Sequence, residues 1–189
     1  MRALYWDGRE LTFNSAYRAP DAGPRSALIK VHLAGICSTD LQIFEGYMSF
    51  KGVPGHEFVG SVSDGPGELI GKRVAGEINF GCGQCDACRQ DSSRHCPNRS
   101  VMGILNADGA FAECVSVPLE NLHVVPDNVS DEEAVFTEPL AAAFEILDAD
   151  SNQSRRRGAC ARRRQVRESL RAGVATHRRE DYRAGKTRR

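Results

Sequence analysis

The chain has no long apolar run. No stretch approaches the roughly 18 uninterrupted apolar residues of a membrane-spanning helix, so no spanning segment is expected. The first residues, MRALYWDGRELTF, lack the apolar core of a secretory signal, which points to a cytoplasmic location. In that compartment the seven cysteines read as metal ligands or free thiols, not as disulfides. Net charge is missing too: 25 Lys and Arg stand against 25 Asp and Glu in 189 residues. A neutral chain argues against nucleic acid or an anionic membrane as the main partner.

That zero hides a segregation. Residues 1–154 hold 11 basic and 22 acidic side chains, a net of −11, and residues 155–189 hold 14 basic and 3 acidic, a net of +11. The last segment has thirteen arginines and no Phe, Trp, Ile or Met, so it cannot bury enough surface to offset its ordering entropy. Residues 151–189 are therefore expected to be a disordered basic tail. A basic arm binds nucleic acid through phosphates, but Tyr182 is its one aromatic residue for base stacking, which disfavours that partner.

Residues 1–150 read as one domain, mainly β with short helices. Ala3 to Trp6 and Leu11 to Phe13 flank Asp7-Gly8, a hairpin signal. Further strands are expected at Ala27 to Leu33, Glu57 to Val62, Arg73 to Ile78, Phe111 to Val117 and His123 to Val125. Many short strands with frequent glycine turns point to a small barrel or sandwich. Helix is expected at Thr39 to Glu45, after the capping residue Ser130, and from about Pro139 to Leu147.

The cysteines carry the strongest chemical signal. Cys82, Cys85, Cys88 and Cys96 lie in GCGQCDACRQDSSRHC, a lobe spanning residues 81–97. Four thiolates at this spacing can enclose one tetrahedral zinc ion and leave no position for water, which makes the site structural. An iron–sulfur cluster and four free thiols are the alternatives. Three other fragments offer metal-capable groups: Gly35-Ile36-Cys37-Ser38-Thr39-Asp40, Gly55-His56-Glu57 and Phe136-Thr137-Glu138-Pro139. One thiolate, one imidazole and one carboxylate would form a three-ligand site with an open fourth position, the catalytic arrangement of zinc.

Taken in order, GICSTDLQIFEGY, VPGHEFVG, the four-cysteine lobe and EPLAAAFEIL resemble the zinc-dependent medium-chain alcohol dehydrogenase family, over residues 1 to about 148. The resemblance implies a GroES-like β-barrel. It implies a catalytic zinc on Cys37, His56 and Glu138, and a structural zinc on Cys82, Cys85, Cys88 and Cys96. A glutamate at the third position is similar to the polyol and threonine dehydrogenase branches. By the same resemblance Glu57 is a transient ligand, Thr39 the proton-relay hydroxyl and Asp40 an orienting group. The implied reaction passes a hydride from a small alcohol or polyol to NAD(P).

The family continues into a Rossmann domain. No G-x-G-x-x-G lies in the residues that follow here, so that domain is expected to be absent and the chain inactive alone. Read one base out of frame, Arg157 to Ser169 can encode a strand and a glycine-rich turn, which makes the tail a candidate frameshift product. A non-enzymatic zinc-binding fragment is the alternative function, and a basic-tailed nucleic-acid-binding zinc protein a third. The sequence assigns no oligomeric state.

Overall fold

The computed structural model describes the backbone of residues 1–153 and side chains to residue 146. The expected basic tail and its frameshift origin lie outside the described residues, apart from the first few residues. The chain divides into two units, Met1–Ala142 and Ala143–Arg189.

A hairpin opens the first unit. Strands β1 (Ala3–Trp6) and β2 (Leu11–Asn14) pair antiparallel around Asp7-Gly8. The Asp7 carboxylate closes the turn by accepting N–H bonds from Arg9 and Glu10, at 2.7 and 2.8 Å. The main sheet has five strands in the order β10-β5-β4-β3-β9: β3 (Ser26–Gly35), β4 (Glu57–Asp64), β5 (Arg73–Gly76), β9 (Cys114–Pro118) and β10 (Leu122–Val124). Every pairing in it is antiparallel. A small second sheet joins β6 (Asn79–Phe80), β7 (Ser100–Met102) and β8 (Asn106–Ala107). The expected mainly-β domain is therefore what forms.

Period-two alternation builds the core. Ala27 and Ile29 of β3, Phe58 and Val62 of β4, Val74 of β5, and Val115 and Val117 of β9 pack on one side with Met102. Strand β4 is buried on both faces at its start. Its Val59 points the other way and packs with Ala75, Val125, Ala134 and Val135. Ala134 belongs to the short helix α3 (Asp131–Ala134), which covers the outer face. Ser130 caps α3 as expected: its hydroxyl accepts from Glu133 N–H at 3.3 Å, and the Glu133 carboxylate accepts from Ser130 N–H at 3.0 Å. The remaining helices are α1 (Ser38–Phe44), α2 (Asp86–Arg89) and α4 (Thr137–Gln153). Helix α4 starts two residues before Pro139, because a proline in the first helical turn lacks only an N–H that has no partner there.

A polar staple fastens α3 to the sheet. Arg73 donates to Asp131 Oδ1 at 2.8 Å and to the carbonyls of Pro126 and Val129 at 2.9 and 2.7 Å. Asp131 Oδ2 lies 2.9 Å from His32 Nδ1, and His32 Nε2 lies 2.9 Å from Ser61 Oγ. The order Ser–His–Asp is that of a hydrolase, but Arg73 ties the same carboxylate to the loop, so the group binds elements together. Arg73 first, and then His32, hold the Asp131 carboxyl below its ordinary range. With its folded value depressed, that contribution is complete above about pH 4 and fades as acid protonates the group. Arg73→Ala removes three hydrogen bonds at a half-buried site. It is expected to cost about 2 kcal/mol, read as a lower urea midpoint. An unchanged midpoint would reduce the staple to surface decoration.

Candidate metal centres

The lobe forms between two paired strands. Strands β6 and β7 are antiparallel neighbours, with Asn79 opposite Val101 and Phe80 opposite Ser100, so they bring the two ends of the cysteine segment together. Cys85 precedes α2, Cys88 lies within it, and Cys82 and Cys96 close the loop. All four sulfurs lie within 4.8 Å of one another. Cys85 Sγ is 3.6 Å from both Cys88 Sγ and Cys96 Sγ. Zinc–sulfur bonds of about 2.3 Å in a tetrahedron put sulfurs about 3.8 Å apart, so the lobe fits a single zinc ion. A multi-iron cluster puts thiolates on separate irons and holds them further apart.

The backbone supports thiolate charge there. Cys96 is buried and its sulfur accepts from the N–H of Cys82 at 3.5 Å and of Asn98 at 3.3 Å. The N–H groups of Gln84 and Cys85 pull the Cys82 thiol down to about 6. Cys88 is pushed up to about 11, first by burial and then by its thiol neighbours. Four sulfurs that cannot all ionise beside one another need a cation to do so. His95 is exposed on the loop.

The second cluster is assembled by the start of β4 and the turn before α1. Cys37 caps α1, and Asp40 follows in its first turn. Asp40 is fully buried. Its Oδ2 accepts from Cys37 N–H at 2.8 Å, and its Oδ1 accepts from Gly55 N–H at 3.2 Å. The same Oδ1 lies 3.5 Å from His56 Nδ1. One carboxylate thus reaches both the Cys37 backbone and the His56 ring. Gly55 has φ +94, a left-handed conformation that glycine adopts freely, and this aims His56. The 53–56 segment is also fixed from behind: Gly109, Ala110 and Phe111 donate to the carbonyls of Val53, Gly55 and Pro54 at 2.7, 2.9 and 3.0 Å.

The ligand atoms of Cys37, His56 and Glu57 lie within 4.8 Å of one another. His56 is buried, and its Nδ1 has no hydrogen-bond partner of standard geometry. Because Nδ1 faces Asp40, Nε2 is the ring's remaining coordinating atom. Burial alone pulls the imidazole down; the Asp40 carboxylate and Cys37 sulfur outweigh it and lift it to about 9. A metal ion would have to displace that proton. Burial pushes the Glu57 carboxyl up, against the attraction of His56. Thiolate, imidazole and carboxylate form a donor set that suits zinc, and three donors leave a fourth position open. Thr39 Oγ1 lies 3.6 Å from Cys37 Sγ.

Glu138 stands outside the group of three. It lies in the first turn of α4, where burial pushes its carboxyl up and the charges of His56 and Glu57 act on it. The structure therefore gathers Cys37, His56, Glu57, Asp40 and Thr39, and holds Glu138 within electrostatic range. Glu57, read from the sequence as a transient ligand, occupies the third vertex of the cluster. Gly35 opens the GICSTD motif, where the sequence assigns it no role; it lies opposite Glu57 in the β3–β4 register.

Residues 23–127 match the family model described as the alcohol dehydrogenase GroES-like domain. L-threonine 3-dehydrogenase from Chelativorans sp. (strain BNC1) is 41% identical over 147 residues, covering 69% of this chain and 42% of that protein. A short chain alcohol dehydrogenase from E. coli CFT073, complexed with NADH, superposes with a TM-score of 0.70 at 32% identity, covering 76% of this chain and 44% of that one. A candidate zinc-binding dehydrogenase from Sinorhizobium meliloti 1021, bound to NADP, gives a TM-score of 0.69 at 30% identity, covering 78% and 45%. The chain spans about two fifths of the length of the curated relatives it matches. With more than half of its residues under the family model and the barrel strands in place, the chain belongs to the alcohol dehydrogenase GroES-like domain family.

Proposed function

We propose that this chain supplies the metal-binding, alcohol-activating part of a zinc- and NAD(P)-dependent dehydrogenase. The observation that carries this is the meeting of Cys37, His56 and Glu57 within 4.8 Å, with the Thr39 hydroxyl beside the sulfur. Bound there, zinc is a Lewis acid that lowers the pKa of an alcohol hydroxyl into the neutral range. Cys37, His56 and Glu57 would hold the ion, and Asp40 fixes the first two. Glu138, close enough to feel their charges, is the alternative third donor to Glu57, and a glutamate there is similar to the polyol and threonine branches. Thr39 can take the alcohol proton and pass it outward. The four-cysteine lobe holds a second, structural ion.

The substrate proposed is a small secondary alcohol, a polyol or a β-hydroxy amino acid such as L-threonine, the last being the substrate named for the curated relatives. The hydride acceptor proposed is NAD(P), the cofactor that the two structural relatives carry. Cobalt reports the open site. With the lobe filled by zinc and the second site by cobalt, L-threonine or a polyol is expected to change the cobalt visible spectrum. A chain that takes up one ion only, or a second ion blind to every alcohol, favours the non-enzymatic zinc-binding fragment instead.

A further inference from the structure

We propose that Gly35 is a positioning residue: its missing side chain leaves the space in which the Glu57 carboxylate joins Cys37 and His56. The inference rests on the metal-site reading above and assigns a role to a residue that is itself no ligand.

Gly35 ends β3, and Glu57 begins β4 directly opposite it. A Cβ on Gly35 would overlap Glu57 Oε2, and would stand 3.1 Å from Glu57 Cβ and 3.4 Å from Glu57 Cδ. The backbone does not require glycine here, because Gly35 is not among the residues with positive φ. Space is what the residue contributes, and a carboxylate occupies it. The neighbouring Gly60 differs. There a Cβ would overlap the carbonyl oxygen of Lys30, a backbone atom that cannot swing away. At Gly35 the overlapping atom is the far end of a flexible side chain, and Glu57 Cβ, at 3.1 Å, has to give by only a few tenths of an ångström. Alanine there pushes the carboxylate aside at little cost to the fold, and the expense falls on the cluster. Gly35 and Glu57 thus act as one unit: the strand register sets them opposite, and the glycine decides where the carboxylate points.

The test uses the full chain with the four-cysteine lobe preloaded with zinc, and titrates cobalt into the second site by its visible absorption. Gly35→Ala is expected to weaken cobalt binding by about 10–100-fold, the usual loss when a ligand's support is removed. Its thermal midpoint should stay with that of the wild type. In a Glu57→Ala background the occupant is gone, so adding Gly35→Ala should change cobalt affinity no further. Wild-type affinity in Gly35→Ala overturns the proposal. So does an equal loss in both backgrounds, which would mean general damage to the strand end. If the wild type takes up no second ion, the metal-site reading itself fails, an outcome visible before any variant is made.

Discussion

Asp40→Ala is expected to cost the chain about 3 kcal/mol of stability and its second metal ion. Removing one partner from a buried charged network leaves the others desolvated and unpaired, which typically costs about 3–5 kcal/mol. The side chain is fully buried and engages three groups: Cys37 N–H, Gly55 N–H and, at 3.5 Å, His56 Nδ1. Asparagine does not rescue it. Both carboxylate oxygens accept from a backbone N–H, so an amide must turn its NH2 group toward one of those donors. Urea unfolding and metal content on Asp40→Ala and Asp40→Asn read this directly. Both variants should unfold at lower urea and retain the ion of the four-cysteine lobe alone. An asparagine variant with wild-type midpoint and two ions would mean that the carboxylate charge is idle and the geometry set elsewhere.

What made most of the barrel readable was alternation. Strands β3, β4 and β9 each bury every second residue over at least part of their length, and the Asp7-Gly8 turn and the Ser130–Glu133 capping box have local chemistry that needs no tertiary context. Strands β6, β7 and β8, each two or three residues long, were not among the strands expected from the sequence. The segment from Phe111 was expected to be strand, yet β9 starts at Cys114. Phe111 instead donates its N–H to Pro54 and holds the loop that carries His56. The four-cysteine lobe was readable because all its donors lie in one short segment. The second cluster was harder. Cys37, His56 and Asp40 could be paired only through the resemblance, and the place of Glu57 depends on strand register and on the gap at Gly35, neither of which adjacency to His56 reveals. Glu138 illustrates the same limit: its distance from the cluster depends on how α4 starts, which local sequence does not specify.

Cys96→Ser should remove one zinc ion and unfold the lobe while the five-stranded sheet survives. The reason is the composition of the segment. Between residues 81 and 97 only Cys96 is buried; every other residue is half-buried or exposed. Ordering a residue's backbone costs about 1–2 kcal/mol, and a segment with one buried side chain cannot offset that by hydrophobic burial. The pairing of β6 with β7 restrains only its two ends. A zinc ion held by four thiolates contributes on the order of 10 kcal/mol at neutral pH, enough to order the rest. Serine keeps the size of Cys96 but not its ligand character, because its hydroxyl stays protonated where a thiol beside zinc does not. It also loses a sulfur that accepts two backbone N–H bonds. Limited proteolysis should therefore cut the variant within 81–97 and leave the wild type intact there, and metal analysis should fall by one ion per chain. The core around Ile29, Val62, Val74 and Val117 lies in the other sheet, so its cooperative urea transition should persist. If the variant keeps both ions and resists the protease, the lobe is held by its own packing and the four cysteines are not its cross-link.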